Sequence, residues 1–391
     1  MRTMACILLA MVLVVTAGFV GLALTGKIAV LLDAGRGDLS FNDMGFKGAS
    51  EAALQFGLEM VALQSASAAD FLPNLRNLAN TSEYDLIISF GFLISDAMAQ
   101  VANEFPEQRF VAVGGVVPHR PNVLAILFRE NELAALIGAL AAMTAAHHGY
   151  PYVGIVLGME MPVLYRFEAG YRFGVDWGLE HYSQFTGERV DVGLLYTYTG
   201  TFRDIAVGRA ATEAMLAQGA ASIFNVAGAL GLGDLEAISE YHEAAGTSQG
   251  PPYYFGVDAN QDYLGGGLHG LASGMKRIDV ATYMAVKAVV TGVFEGGMQS
   301  LGLAEGGVGI SGLDDLVEFI DFGVSAGAIP ADSFYSILSN WARNRATVPA
   351  WIWDAVVELE SGILEGVIAV PTAESYAEIE VLRARHGPPT P

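Results

Sequence analysis

Short apolar runs alternate along this chain with stretches whose apolar side chains recur at helical spacing. The first run, KIAVLL at 27–32, suits a strand buried on both faces. It breaks at Asp33-Ala34-Gly35-Arg36-Gly37-Asp38 and resumes after Ser40-Phe41-Asn42-Asp43 as a helical pattern through Phe46, Ala49, Ala52 and Leu54. A buried strand, a Gly-bearing turn and a Ser/Asn/Asp-capped helix make the opening of a βα unit, with Asp33 at the strand's carboxyl end. Ligands of open α/β sheets bind at that end.

The alternation continues with MVALQSA (60–66), YDLIISFG (84–91), RFVAVGG (109–115) and NVLAILF (122–128), separated by the amphipathic ADFLPNLRNLAN and LISDAMAQVANEF. ELAALIGALAAMTAAHHG (132–149) is nearly all apolar yet too short to cross a bilayer, which makes it a buried core helix ending at Gly149. A second series follows, with strands at 152–158, 190–200, 221–228 and 253–259 and helices over 164–182, 203–218 and 233–245. Two α/β series without fixed-period identity predict two similar lobes, each a parallel sheet wrapped by helices with right-handed connections. A further helix is expected over 280–294, and the tail from about 314 holds helix-like stretches and a Pro-rich end expected to be disordered.

With 391 residues, 52% of them hydrophobic, the chain can bury a large core, and its length favours two domains. Its 20 Lys and Arg stand against 42 Asp and Glu, a net charge of -22 that opposes binding to nucleic acid or anionic headgroups. A neutral small ligand is untouched by that argument. Residues 4–24 are uncharged and just long enough to span a bilayer, so 1–26 reads as a signal peptide or a signal anchor. Either exports the chain, to the periplasm or the outer face of the cytoplasmic membrane. The sole cysteine, Cys6, lies near the start of that run, where lipid attachment needs one after it; one cysteine also excludes internal disulfides.

Catalytic motifs are missing: there is no GxSxG elbow and no HExxH, and GLALTGKI (21–28) lacks the Ser or Thr of a phosphate loop. Asp33, Asp38 and Asp43 lack the tight acid spacing of a nucleoside hydrolase, and His147-His148 suits a helix end better than a metal. No catalytic residues, cofactor or metal are expected.

DxGxxDxSFN at 33–42, followed by a Gly, resembles the opening of the basic membrane protein (PnrA-like) family of ABC-transporter solute-binding lipoproteins, whose best understood members bind purine nucleosides. Further ordered matches cover roughly 27–312 and, more weakly, 360–371: the FRE segment at 128–130, GMEMPVLYRFEAGYRFG, YTGTF, AGALGLG, FGVDANQ, ASGMKR and GGVGI. The resemblance implies the type I periplasmic-binding-protein fold, two doubly wound α/β lobes joined by a multi-strand hinge that the chain crosses three times. The expected partition gives 27–125 and 257–277 to the first lobe, 126–256 and 278–312 to the second, and 313–391 to a helical extension. In particular, GLASGMKR (270–277) is expected to return to the first lobe.

The resemblance also assigns ligand contacts. Phe41 from the first lobe and Phe202 from the second would sandwich a flat base, each stacking contact adding about 0.5–1.5 kcal/mol beyond area burial; ordinary core packing is the competing reading for both. Asp258 would accept from the sugar hydroxyls, with Lys276 donating and offsetting the acid, unless Lys276-Arg277 is a solvated surface pair. Asp33 and Asn42 would bond the base edge, Gly228 would let backbone approach the ligand, and Met159 would pack on the base. Arg129-Glu130 reads as a hinge ion pair. Where many family members carry an acid after the fourth strand, this chain has Val113-Gly114-Gly115. The implied protein is a monomer that delivers a nucleoside to an inner-membrane permease, with riboflavin, bound by a related branch, or a sensory role as alternatives.

Overall fold

The computed structural model of the protein describes residues 24–385 except 34, 326 and 328. The segment expected to direct export, up to residue 23 and with Cys6, and the Pro-rich end from 386 lie outside the described residues. Among the described residues no helix is long and apolar enough to cross a membrane.

The first lobe is a six-stranded, all-parallel sheet. Its strands are β1 (Lys27–Leu32), β2 (Glu59–Gln64), β3 (Leu86–Phe90), β4 (Phe110–Val113), β5 (Val123–Phe128) and β11 (Gly297–Leu301), in the order β11-β5-β4-β3-β1-β2. After Lys27 the run KIAVLL is apolar throughout because alternate side chains feed two cores. Ile28, Val30 and Leu32 join Met44, Ala49 and Ala52 of helix α1 (Phe41–Phe56), while Ala29 and Leu31 join Phe71 and Leu75 of α2 (Phe71–Asn80) and Met98 and Val101 of α3 (Ser95–Glu104).

The second lobe repeats the plan with β6 (Tyr152–Leu157), β7 (Gly193–Tyr198), β8 (Ala220–Val226), β9 (Tyr253–Asp258), β10 (Gly270–Lys276) and β12 (Val308–Ile310). Their order is β12-β10-β9-β8-β6-β7, with β12 antiparallel to β10 and the other pairings parallel. Its helices are α4 (Glu130–His148), α5 (Pro162–Thr186), α6 (Ile205–Leu216) and α7 (Gly231–Ala245). Helix α4 is buried over nearly its whole length, and α5 lies against its backbone through Gly170, Gly174 and Gly178. A Cβ at Gly170 would stand 2.1 Å from the Asn131 carbonyl, so these small residues set the closeness of the two helices.

The expected lobe partition needs correction. GLASGMK does not return to the first lobe; every residue of it is buried in β10, beside β9 in the second sheet. Helix α8 (Ile278–Val290) and strand β11, expected in the second lobe, belong to the first. Helix α8 packs on α1, where Gly48 admits the Asp279 backbone and Lys47 pairs with Asp279 at 3.2 Å. The crossings therefore fall at 128–130, at 276–278 and between β11 and β12. In the tail, α9 (Leu313–Ser325) meets α1 through Lys47–Glu318 at 2.7 Å. Helices α10 (Phe334–Arg345), α11 (Ala350–Leu364) and α12 (Tyr376–Arg385) then pack on the second lobe.

One buried acid makes this fold pH-sensitive. Asp234 on α7 is fully buried, with Thr212 of α6 2.8 Å from Oδ1 and no partner for Oδ2 among the described residues. Burial pushes its carboxyl up to about 7, opposed by the Thr212 hydrogen bond. The native state therefore holds a proton that the unfolded chain releases near pH 4, and this stabilisation, complete below that pH, is lost as pH rises towards 7. Asp234→Asn is expected to raise unfolding free energy at pH 8 by about 1–3 kcal/mol and to flatten the pH dependence between 4 and 7. Chemical denaturation at several pH values checks this, and a less stable variant at pH 8 would contradict it.

Candidate functional site: a cavity between the lobes

The carboxyl ends of both sheets open onto one cavity of about 630 Å³, within the range of small-molecule sites. All eight residues singled out in the sequence line it: Asp33, Phe41 and Asn42 from the first lobe, and Met159, Phe202, Gly228, Asp258 and Lys276 from the second. Each sits just past a strand, in the last residues of a strand or, for Phe41 and Asn42, in the first turn of α1.

Two acids organise the loop before α1. Asp38 accepts from the backbone N–H groups of Ser40 (3.1 Å), Asn42 (2.9 Å) and Asp43 (3.1 Å), capping the helix. Burial pushes its carboxyl up to about 6 against the Asn42 and Ser40 hydrogen bonds. Asp43 accepts from the N–H groups of Gly37 and Leu39, both at 3.0 Å. The Asn42 Nδ2 donates to Asp38 at 3.1 Å, and because a carboxylate only accepts, the amide oxygen must face away. That buried Oδ1 has no hydrogen-bond partner among the described residues.

On the other side, Asp258 ends β9 with φ 64, a left-handed backbone that few side chains adopt. Its Oδ2 lies 3.1 Å from the Ser40 hydroxyl of the first lobe, while its Oδ1 accepts no hydrogen bond among the described residues. Lys276, at the end of β10, is only 3% exposed, which removes the solvated-pair reading. Its Nζ is 3.1 Å from Glu130 Oε1 and 3.7 Å from Asp258 Oδ1, and lies over the rings of Phe41 (5.1 Å), Phe128 (5.4 Å) and Phe167 (5.6 Å). Arg166 on α5 completes the group, 2.7 Å from Glu130 Oε2. Burial pushes Glu130 up, but Lys276 and Arg166 outweigh it and hold the carboxyl below its usual range. For Asp258 burial wins and the carboxyl is raised, Lys276 and Ser40 offsetting only part of it.

Two glycines fit the aromatic pair. A Cβ at Gly158 would stand 2.0 Å from Phe202 Cε1, so the ring of Phe202 lies on bare backbone at the end of β6. A Cβ at Gly114 would stand 2.9 Å from Phe41 Cζ, so this glycine makes room for the ring.

The hinge pair needs correction: Glu130 faces inward to Lys276 and Arg166, whereas Arg129 pairs with Glu132 and Glu305, each at 2.5 Å. Adjacent residues at a helix start point to different sides, so their adjacency did not make them partners. Sequence reasoning also missed Phe167 in the cavity wall, the Ser40 contact and Arg203, whose guanidinium donates to the Asp33 carbonyl across the lobes at 3.0 Å. The FRE and YRFEAG segments were the available signals for Glu130, Arg166 and Phe167.

Two parallel-sheet lobes, three crossings and a polar, aromatic-lined cavity between them define a bilobed solute-binding protein of the type I fold. The chain belongs to the family described as ABC transporter substrate-binding protein PnrA-like, whose profile matches residues 25–324. It is similar to the crystal structure of an ABC transporter system solute-binding protein from Aeropyrum pernix K1, with TM-score 0.81 and 34% identity, covering 92% of this chain and 98% of that one. An uncharacterized lipoprotein of Pyrococcus horikoshii is 36% identical over 359 residues, 90% of this chain and 86% of the relative. The ABC transporter nucleoside-binding protein BmpA of Lactococcus lactis is 30% identical over 244 residues, 61% of this chain and 65% of that protein.

Removing the central cation tests the network. Lys276→Met leaves Glu130 and Asp258 buried without it and is expected to cost about 3–5 kcal/mol of stability, read from the denaturant midpoint. An unchanged midpoint would mean that the buried charges do not depend on one another.

Proposed function

We propose that the protein binds a purine nucleoside between its lobes and delivers it to the permease of an ABC importer, held outside the cytoplasmic membrane by its amino terminus. The observation that carries this reading is the pair of buried acceptors that take no hydrogen bond among the described residues, Asn42 Oδ1 and Asp258 Oδ1, in a cavity also lined by Phe41 and Phe202. A purine is a flat apolar plate with N–H donors on its edge, and its ribose carries vicinal hydroxyl donors. The base lies between Phe41 and Phe202, giving its edge to Asn42 and Asp33. The ribose gives a hydroxyl proton to Asp258 Oδ1 and takes a hydrogen bond from Lys276 Nζ. A buried acceptor left unmade costs about 1–3 kcal/mol, so a ligand that fills both recovers that penalty. Because these groups come from both lobes, the ligand favours the closed arrangement over the open one, and the closed form docks on the permease. The nucleoside-binding relative in Lactococcus lactis and the lipoprotein relatives in Pyrococcus support the ligand class and the membrane attachment respectively.

Titration calorimetry with adenosine, guanosine, inosine and riboflavin tests this. At least one nucleoside is expected to bind with submicromolar to micromolar affinity, about -8 kcal/mol or better. Phe202→Ala is expected to weaken it about tenfold or more. Binding of riboflavin alone would replace the nucleoside by a larger ring with a polyol, and no heat from any of the four would overturn the proposal.

A further inference from the structure

The C-terminal segment 366–385 contributes nothing to the cavity wall, yet it is bonded to the residues that hold two of the cavity's principal groups. It seats on α5 through Ala373, Ile379 and Leu382, which pack on Tyr165 and Ala169. Two polar routes run inward from there. Along the first, Glu374 is 2.7 Å from Arg166, which is 2.7 Å from Glu130, which is 3.1 Å from Lys276. The neighbouring Asn131 amide fastens the same stretch of tail, donating to the Val370 and Pro371 carbonyls at 3.0 and 3.3 Å. Along the second, Arg383 grips both oxygens of the fully buried Glu168 at 2.8 and 2.7 Å. Glu168 in turn accepts from the Tyr198 hydroxyl at 2.8 Å. Tyr198 ends β7, and the next residues are the loop Thr199–Arg203 that carries Phe202.

We infer that the C-terminal segment is a positioning strap for the ligand site, fixing the Phe202 loop through Arg383–Glu168–Tyr198 and the Lys276 ammonium through Glu374–Arg166–Glu130. The strap lies outside residues 25–324, the range that the family profile matches. Its meaning for ligand grip rests on the nucleoside reading, whereas its hold on the loop does not. Glu168 is also held by Arg172 at 2.7 Å. A buried carboxylate with two guanidinium partners and a phenol has one strongly preferred geometry, and removing the guanidinium of the tail loosens the phenol and the loop that follows it.

Hydrogen exchange on the full, ligand-free chain tests the hold directly, comparing wild type with Arg383→Met. The Thr199 and Gly200 amides are bonded to the Leu157 and Gly158 carbonyls at 2.8 and 3.0 Å, so their opening can be timed. Their exchange is expected to quicken about 2- to 30-fold, the span of coupling along packed networks, with the first-lobe strands unchanged. Unchanged exchange at Thr199 and Gly200, or a uniform rise through the whole second lobe, would overturn the inference, the latter by making the tail a general stabiliser. Calorimetry then reads the other route. Glu374→Gln is expected to weaken a nucleoside more than its free base, and Glu374→Asp to recover part of the loss. Equal effects on nucleoside and base would overturn that route. A wild type that binds no nucleoside would sink the functional proposal and leave the exchange result to decide the strap.

Discussion

The structure depends on four charges that have left water together. Asp258, Lys276, Glu130 and Arg166 are all buried, they come from β9, β10, α4 and α5, and their formal charges cancel. None could occupy its place alone, because desolvating a single charge costs several kcal/mol that only a close partner of opposite sign offsets. Their positions along the chain matter as much as their pairing. Glu130 follows the first passage from one lobe to the other, and Lys276 immediately precedes the second. The group is therefore both the polar end of the cavity and a fixed point where the chain passes between the lobes.

The rest of the cavity is built to be completed from both sides. The first lobe supplies a capped helix start whose acids orient Asn42 and present Phe41, and the second supplies Phe202 on a loop and the charged group at its base. Direct links already span the gap: Ser40 to Asp258, Gln261 to the Leu39 carbonyl at 3.0 Å, and Arg203 to the Asp33 carbonyl. These hold the lobes near each other, and a ligand bridging Asn42 and Asp258 adds to the same set.

Much of this was legible in the chain. Strands buried on both faces write themselves as unbroken apolar runs, and so β1, β3, β5, β6 and β8 fall within a few residues of where KIAVLL and its successors place them. Strand β11 was illegible because it is an exposed edge, GMQSL, with no apolar run to mark it. The lobe of β10 and α8 was misplaced for a different reason: both are apolar, and hydrophobicity says that a segment is buried without saying against what. The residues singled out in the sequence line the cavity because this architecture collects the carboxyl ends of strands there, and those ends can be read in order along the chain. The partners that hold them, such as Glu130 for Lys276 and Glu168 for Tyr198, lie on helices distant in sequence, and local pattern carries no trace of such pairings.

The central claim is that Asp258 Oδ1, which takes no hydrogen bond among the described residues, is reserved for a sugar hydroxyl. A double-mutant cycle measures that contact alone, using calorimetry on wild type and Asp258→Asn with the best-binding nucleoside and its 2′- and 3′-deoxy forms. The account predicts that removing the contacted hydroxyl costs the wild type about 1.5–3 kcal/mol and the variant much less, a coupling confined to one of the two positions. Equal losses in wild type and variant at both positions would show that Asp258 does not hold the sugar.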